Sequence, residues 1–183
     1  MEVNLTHTPA KPAEPIYIEQ VFAEKPGGGV VANPTHDLPP TTAVGSKDGQ
    51  FVSIKAYRLI AAVAAADTSI KIAKGSGVAV GDIIATGKKG VACTAIDTSN
   101  EEYDLVTVTL GVAVTEGSVL YQAKEASASA AEPLVAPDYV TGNWVHANKG
   151  DQLVRLINGA NLRKETANVA PEVVALLPTI KLV

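Results

Sequence analysis

The side chains able to do chemistry are few and scattered. The histidines are His7, His36 and His146, and Cys93 is the only cysteine. No H-x-H, H-x-x-x-H or C-x-x-C pair sets two of them at ligand spacing, so a metal site would have to be assembled from distant segments. Cys93 sits in Gly90-Val91-Ala92-Cys93-Thr94 with no base close in the chain, and a small buried hydrophobe is the role expected of it. A nucleophilic serine needs a strained G-x-S-x-G elbow, whereas Ser76 stands in Gly75-Ser76-Gly77, a flexible turn. Asp97-Thr98-Ser99-Asn100-Glu101-Glu102 is acidic like a calcium loop. It lacks that loop's central glycine and correctly spaced bidentate glutamate, and reads as a polar turn. Gly75, Gly77 and Gly81 spell G-x-G-x-x-x-G, one residue longer than the dinucleotide fingerprint and followed by no helical pattern. No phosphate loop of the form G-x-x-x-x-G-K-[ST] occurs. Carboxylate pairs for acid–base work meet in space and not along the chain, so sequence does not decide them. No catalytic, cofactor-binding or metal-binding residue is assigned, no cofactor is expected, and the chain reads as non-enzymatic.

Composition narrows the partners. Of 183 residues, 46% are hydrophobic and 19% charged, which supplies enough apolar surface to offset chain entropy in a core. Aromatic residues make up only 4%, with Trp144 as the single tryptophan, and alanine and valine supply most of the apolar count. Such a core buries less area per residue, which favours completing it against further copies of the chain. The net charge is −4 and the sequence has no basic stripe of the kind nucleic acid selects. Lys88-Lys89, beside Gly87 and Gly90, reads as a solvated hairpin turn. The apolar run from Leu59 to Ala66 is too short for a bilayer, and Met1-Glu2-Val3-Asn4 does not open like a signal peptide. A soluble chain made in a reducing cytoplasm is expected, with neither nucleic acid nor membrane as partner.

The elements that would position these residues are strands. Residues 1–50 read as an extended arm, because prolines at 9, 12, 15, 26, 34, 39 and 40 fix φ and remove donors. Within it only Ile16-Tyr17-Ile18 and Gln20-Val21-Phe22 look able to pair, and the arm is expected to lie on a partner. Residues 51–124 form the expected β-barrel or sandwich domain. Phe51 to Tyr57 alternates apolar and polar, Leu59 to Ala66 is undecided between helix and strand, and from Asp67 turns recur regularly between short strands. The predicted strands are Ser69–Ala73, Ile83–Thr86, Val91–Ile96, Tyr103–Val114 and Ser118–Gln122. Val78-Ala79-Val80-Gly81-Asp82-Ile83-Ile84 echoes Val112 to Leu120, as two similar corners with no third copy. Residues 125–138 read as a linker or loop with a short helix left open. Residues 139–183 supply strands at Trp144–His146, Gln152–Ile157 and Ile180–Val183, and a helix from Pro171 to Leu177, with completion of the barrel by them left open.

Several of these stretches resemble one family. Ser69 to Ile84 (SIKIAKGSGVAVGDII) is similar to the I-x-V-x-K-G-x-x-F-x-V-G-D-x-I stretch of head fibre and capsid decoration proteins of tailed phages. Ala95 to Asp104, Leu110 to Ala113 and Glu116 to Ala123 continue the likeness, as do Asn158 to Thr166 and Leu176-Leu177-Pro178. Val78 stands where the pattern often carries an aromatic. The resemblance spans about residues 50–183. It implies a homotrimer on the capsid surface of the virion, bound to the major capsid protein, with no enzyme activity and no cofactor. Two other readings compete with it. One is a host-surface or glycan-binding module, for which Trp144 and the tyrosines are the available aromatics; the other is a small hydrolase on a trimeric barrel.

Overall fold

The N-terminal prolines punctuate the chain without breaking its pairing. In the computed structural model, which describes residues 14–183, β1 (Ile18–Glu24) lies between Pro15 and Pro26, and β2 (Gly29–Val31) between Pro26 and Pro34. After Pro39-Pro40, β3 (Ala43–Lys47) and β4 (Gln50–Ser53) form a hairpin. Asp48 and Gly49 make its two-residue turn with φ of 51° and 85°, the doubly positive geometry that a right-twisted hairpin favours. Residues 18–50 are therefore extended, as expected, but they pair within this chain. The prolines fall in connections, where a missing amide costs no ladder bond. Residues 1–13 of the expected arm lie outside the described residues.

Ten further strands and one helix follow through the middle and end of the chain, after β5 (Ala56–Arg58). β6 (Ser69–Ala73), β7 (Ile83–Thr86), β8 (Lys89–Ala92), β9 (Ala95–Asp97), β10 (Tyr103–Thr107) and β11 (Val119–Ala123) occupy the expected strand-rich region. Then come β12 (Tyr139–Thr141), β13 (Gln152–Val154), β14 (Leu156–Leu162), α1 (Pro171–Val174) and β15 (Ile180–Leu182). The fold is mainly β with a short C-terminal helix. An eight-stranded sheet, ordered β1-β14-β12-β3-β4-β2-β13 with β15 parallel to β14, curls into a half barrel. β6-β10-β9 and β5-β11-β7-β8 make two smaller sheets.

Several boundaries differ from the sequence reading, each for a local reason. The run from Phe51 to Tyr57 is split between β4 and β5, and Val91 to Ile96 between β8 and β9, so each run serves two sheets. At the second break the Cys93 amide donates to the Asp82 carbonyl and the Thr94 amide to the Thr107 carbonyl, which turns the chain from one sheet to the other. β10 ends at Thr107; the Val108 amide still donates to the Thr68 carbonyl, and β pairing returns at the Val63–Val114 bridge. The undecided Leu59–Ala66 stretch is non-helical, with bridges from Leu59 to Ile72 and from Val63 to Val114. Trp144–His146 contributes one bridge, Leu38 to Val145, in place of a strand. The corners at Ala79–Asp82 and Thr115–Ser118 are turns with Gly81 and Gly117 at positive φ. A third turn, Ala64–Asp67, repeats the first one's hydrogen bonds without a glycine: Asp67 Oδ2 accepts from the Ala64 amide as Asp82 Oδ2 does from Ala79.

The four-stranded sheet is buried on both faces. Tyr57, Ile84 and Leu120 point to a cluster with Leu59, Ile70, Ile72, Val106 and Leu110. Ala56, Ala85, Val119, Tyr121 and Ala123 point the opposite way, into a cluster with Val140, Ile157, Ala160, Leu162 and Val173. Strand alternation thus shares one sheet between two cores. The 51–124 stretch is joined to residues 139–183 by apolar packing, with about 2 kcal/mol of burial from each large side chain. The third cluster, Val31, Leu38, Val44, Val145, Val154 and Leu156, lies within the curled sheet. Residues 125–138 form a loop that packs closely: Ser127 bridges to Gly90, and Tyr121 Oη lies 2.9 Å from the Gly87 carbonyl oxygen and 3.0 Å from that of Ala131.

Asp82 ties this sheet together. Its Oδ2 accepts from Lys55 Nζ at 2.8 Å, Tyr57 Oη at 3.0 Å and the Ala79 amide at 2.8 Å, and its Oδ1 accepts from Gln122 Nε2 at 3.0 Å. The Lys55 and Asp82 side chains are only 15% and 11% exposed, so each would be costly without the other. Asp82→Ala is expected to destabilise the protein by about 3 kcal/mol in urea unfolding, at unchanged m-value. Adding Lys55→Met is expected to recover part of that loss by removing the stranded ammonium; a double variant no more stable than Asp82→Ala would contradict the assignment.

Candidate functional site

Two of the clefts on the described surface gather groups from several segments of the chain. The larger, of 610 Å³, lies between the turn at Thr115–Ser118 and the C-terminal segment at Lys164, Glu165, Pro171 and Glu172. Its Arg58 and Glu172 are engaged with the fold. Arg58 donates from Nη1 to the Gly117 carbonyl at 3.0 Å and from Nη2 to the Ala167 carbonyl at 2.6 Å, and Glu172 Oε1 accepts from the Gly87 amide at 2.6 Å. This cleft reads as a seam between the sheet and the α1 region, stitched by long-range hydrogen bonds.

The smaller cleft, of 310 Å³, gathers residues from six parts of the chain. Tyr17 precedes β1, His36 lies between β2 and β3, and Thr42 immediately precedes β3. Lys55 comes from the β4–β5 break, Lys74 to Ser76 from the turn after β6, Trp144 from the segment before β13, and Thr166 and Asn168 from the approach to α1. Trp144 is 40% exposed and meets Tyr17 edge to face, with ring centroids 6.3 Å apart. The His36 ring packs on Gly77, where a Cβ would overlap the imidazole and φ is +67°. Glycine is required there on both counts.

Local cost concentrates beside this cleft. Among the described residues, His36 Nδ1 and Ser76 Oγ are the two buried side-chain polar atoms without a hydrogen-bond partner, and both residues line it. Such atoms normally find partners, and each exception asks for an explanation. Directly behind the wall, Thr41 is fully buried with φ of 72°, an unfavourable backbone state for a β-branched residue. A threonine network holds it. Thr41 donates its amide to the Thr141 carbonyl at 2.7 Å, and Asn168 donates its amide to Thr41 Oγ1 at 2.7 Å and its Nδ2 to Thr42 Oγ1 at 2.9 Å. Thr141 Oγ1 accepts from the Thr42 amide at 3.1 Å.

The cations of the cleft are engaged. Lys55 pairs with Asp82, and Lys74 Nζ contacts Asp104 Oδ1 at 2.7 Å and the Thr98 carbonyl at 2.8 Å. Burial first, and then Lys55, hold the His36 imidazole below its ordinary value, against the weaker pull of Asp82 and Asp37.

The residues singled out in the sequence meet different fates. His36 and Ser76, far apart in the chain, share the cleft, a juxtaposition that sequence reading missed because neither carries a local motif. His146 lies outside it, 3.7 Å from Asp37, and His7 lies outside the described residues. Cys93 is buried, and burial followed by the Asp82 charge pushes its thiol up. Asp97 and Asn100 cap their own turn, accepting from the amides of Ser99, Glu102 and Tyr103. Lys88 sits in the β7–β8 hairpin turn. Among the described residues no group of three His, Cys, Asp or Glu side chains could hold a metal ion, and no helix is long and apolar enough to cross a membrane.

These features define a mainly β protein with one polar, aromatic-edged cleft held by strained backbone. The chain matches no protein-family model, no curated protein and no solved structure.

The depressed His36 value carries a sign. The folded state binds the proton less readily than the unfolded chain, so stability gained from the neutral ring is complete above pH about 6.5 and lost as pH falls below it. Asp37 and Asp97, also held low, act only below their ordinary value of 3.8. The melting temperature is expected to fall as pH drops from about 6.5 toward about 5, and His36→Gln to flatten that fall. An equal fall in both proteins would remove His36 as its cause.

Proposed function

We propose that this chain is a non-enzymatic structural subunit that decorates the outer surface of a tailed-phage capsid as a homo-oligomer, with the head fibre proteins as its model. One observation carries the reading: the residues behind the family resemblance shape the chain. Gly75, Gly77, Gly81 and Gly117 all adopt positive φ, and Asp82 of the V-G-D corner spends its carboxylate on four hydrogen bonds within the fold. The resembling stretch therefore encodes corners and a two-faced sheet, as a scaffold requires, and leaves its surface for contacts.

An apolar edge favours self-association. Among the described residues β13 ends the curled sheet and pairs only with β2, and its Leu153 is 72% exposed directly across from Val30 at 41%. Adjacent exposed aliphatics on a free sheet edge form a surface that a further copy can cover. β1, at the other end, is interrupted by bulges that discourage pairing there. The edge at β13 is accordingly the one assigned to assembly, with the major capsid protein as the partner beneath the oligomer.

Light scattering of the purified chain is expected to give three times the 18.9 kDa chain mass. Leu153→Asp is expected to shift it to the monomer without lowering the melting temperature, because that side chain is mostly in solvent. A wild-type monomer at micromolar concentration would overturn the assembly. Mass spectrometry of virions purified from the phage or prophage encoding this chain is expected to detect it, and its absence from them would overturn the capsid assignment.

A further inference from the structure

We infer that the 310 Å³ cleft between Tyr17, His36, Ser76, Trp144 and Asn168 is a binding site for a neutral saccharide. The inference does not depend on the capsid assignment, since it rests on the chemistry of the cleft wall alone.

The aromatic edge comes first. Trp144 is the only tryptophan and keeps 40% of its surface exposed, although its neighbour Val145 is buried in an apolar cluster. Tyr17 fixes it edge to face, so the indole is presented at low entropic cost. A rigid, half-exposed indole offers a stacking platform for the C–H face of a sugar ring.

The remaining wall is polar. Thr42, Ser76, Thr166 and Asn168 bring hydroxyl and amide groups from three separate segments. Ser76 Oγ and His36 Nδ1 have unused hydrogen-bonding capacity. Ser76 stands on a turn flanked by Gly75 and Gly77 at positive φ, and its χ1 can exchange between staggered rotamers. A ligand rich in hydroxyls, each both donor and acceptor, satisfies such groups whichever tautomer His36 holds. The strained Thr41 backs the same wall through its bond from Asn168, the kind of local cost that ligand clamps carry.

Charge decides between classes of sugar. Lys55 and Lys74, the ammonium groups on the wall, are already paired with Asp82 and Asp104, and the two terminal guanidinium nitrogens of Arg58 are bonded to carbonyls. Among the described residues of the wall no lysine or arginine is left unpaired to recognise a carboxylate or a sulfate, so a neutral ring fits and a sialic or uronic acid does not. The volume stands at the small end of the roughly 300–1,000 Å³ usual for ligand pockets, which suits one or two sugar units at the end of a longer glycan.

Because Trp144 is the sole tryptophan, its emission reports on this cleft directly. The full chain titrated with glucose, galactose, mannose, N-acetylglucosamine, N-acetylgalactosamine and their oligosaccharides is expected to show a saturable emission change with at least one of them. Sialic acid and glucuronic acid are expected to give none. By calorimetry with the responding sugar, Ser76→Ala is expected to weaken binding about tenfold. Trp144→Ala is expected to abolish it and Trp144→Phe to retain most of it, with circular dichroism confirming that each variant is folded. No saturable response to any neutral sugar, a response confined to the acidic sugars, or undiminished binding by folded Trp144→Ala would overturn the proposal. None of these outcomes touches the oligomeric mass, so the two readings fail separately.

Discussion

The Asp82 carboxylate receives hydrogen bonds from a lysine, a phenol, an amide and a carboxamide, and these four donors come from three stretches of chain. Lys55 and Tyr57 bring in the break between β4 and β5, Ala79 closes the V-G-D corner, and Gln122 fixes β11. A carboxylate this enclosed is tolerable only with its lone pairs filled and a cation beside it. The arrangement therefore sets where β5, β7 and β11 lie relative to one another. That sheet is the wall between two apolar clusters, so the packing on both sides inherits its position from one ion pair.

The cleft around Trp144 follows from the same frame. Lys55 reaches Asp82 from one side and lines the cleft on the other, and the turn after β6 brings Ser76 against His36. Elsewhere among the described residues the buried side-chain polar atoms have hydrogen-bond partners. Two unpartnered atoms and a threonine at positive φ lie at or directly behind one wall. Costs of this kind persist where the surroundings over-determine the geometry, here through the bonds among Thr41, Thr42, Thr141 and Asn168.

The strand-rich middle was legible because its signals are local. Alternation over Ser69–Ala73, the lysine-bearing turn at Gly87-Lys88 and the glycine corners at 81 and 117 each depend on neighbours along the chain. The helix start at Pro171-Glu172 was legible for the same reason, although α1 closes after one turn. The Asp48-Gly49 hairpin signal was also present, yet it falls where the proline count of the first fifty residues suggested an arm. Proline forbids a central strand only when it sits inside one, and here the ladders run between the prolines. The third corner, at Ala64–Asp67, escaped notice because its aspartate makes the turn without the glycine that marks the other two.

Sequence alone thus determined the β character, the turns and the lack of any compact motif for metal, nucleotide or nucleophile, since each is written in composition or short-range spacing. Tertiary structure alone decided that residues 18–50 belong to the same sheet as residues 139–183, that Asp82 meets Lys55, and that His36, Ser76 and Trp144 share a wall. The reason is physical: β pairing and polar burial join residues a hundred positions apart, as β1 joins β14, and no local preference encodes the partner.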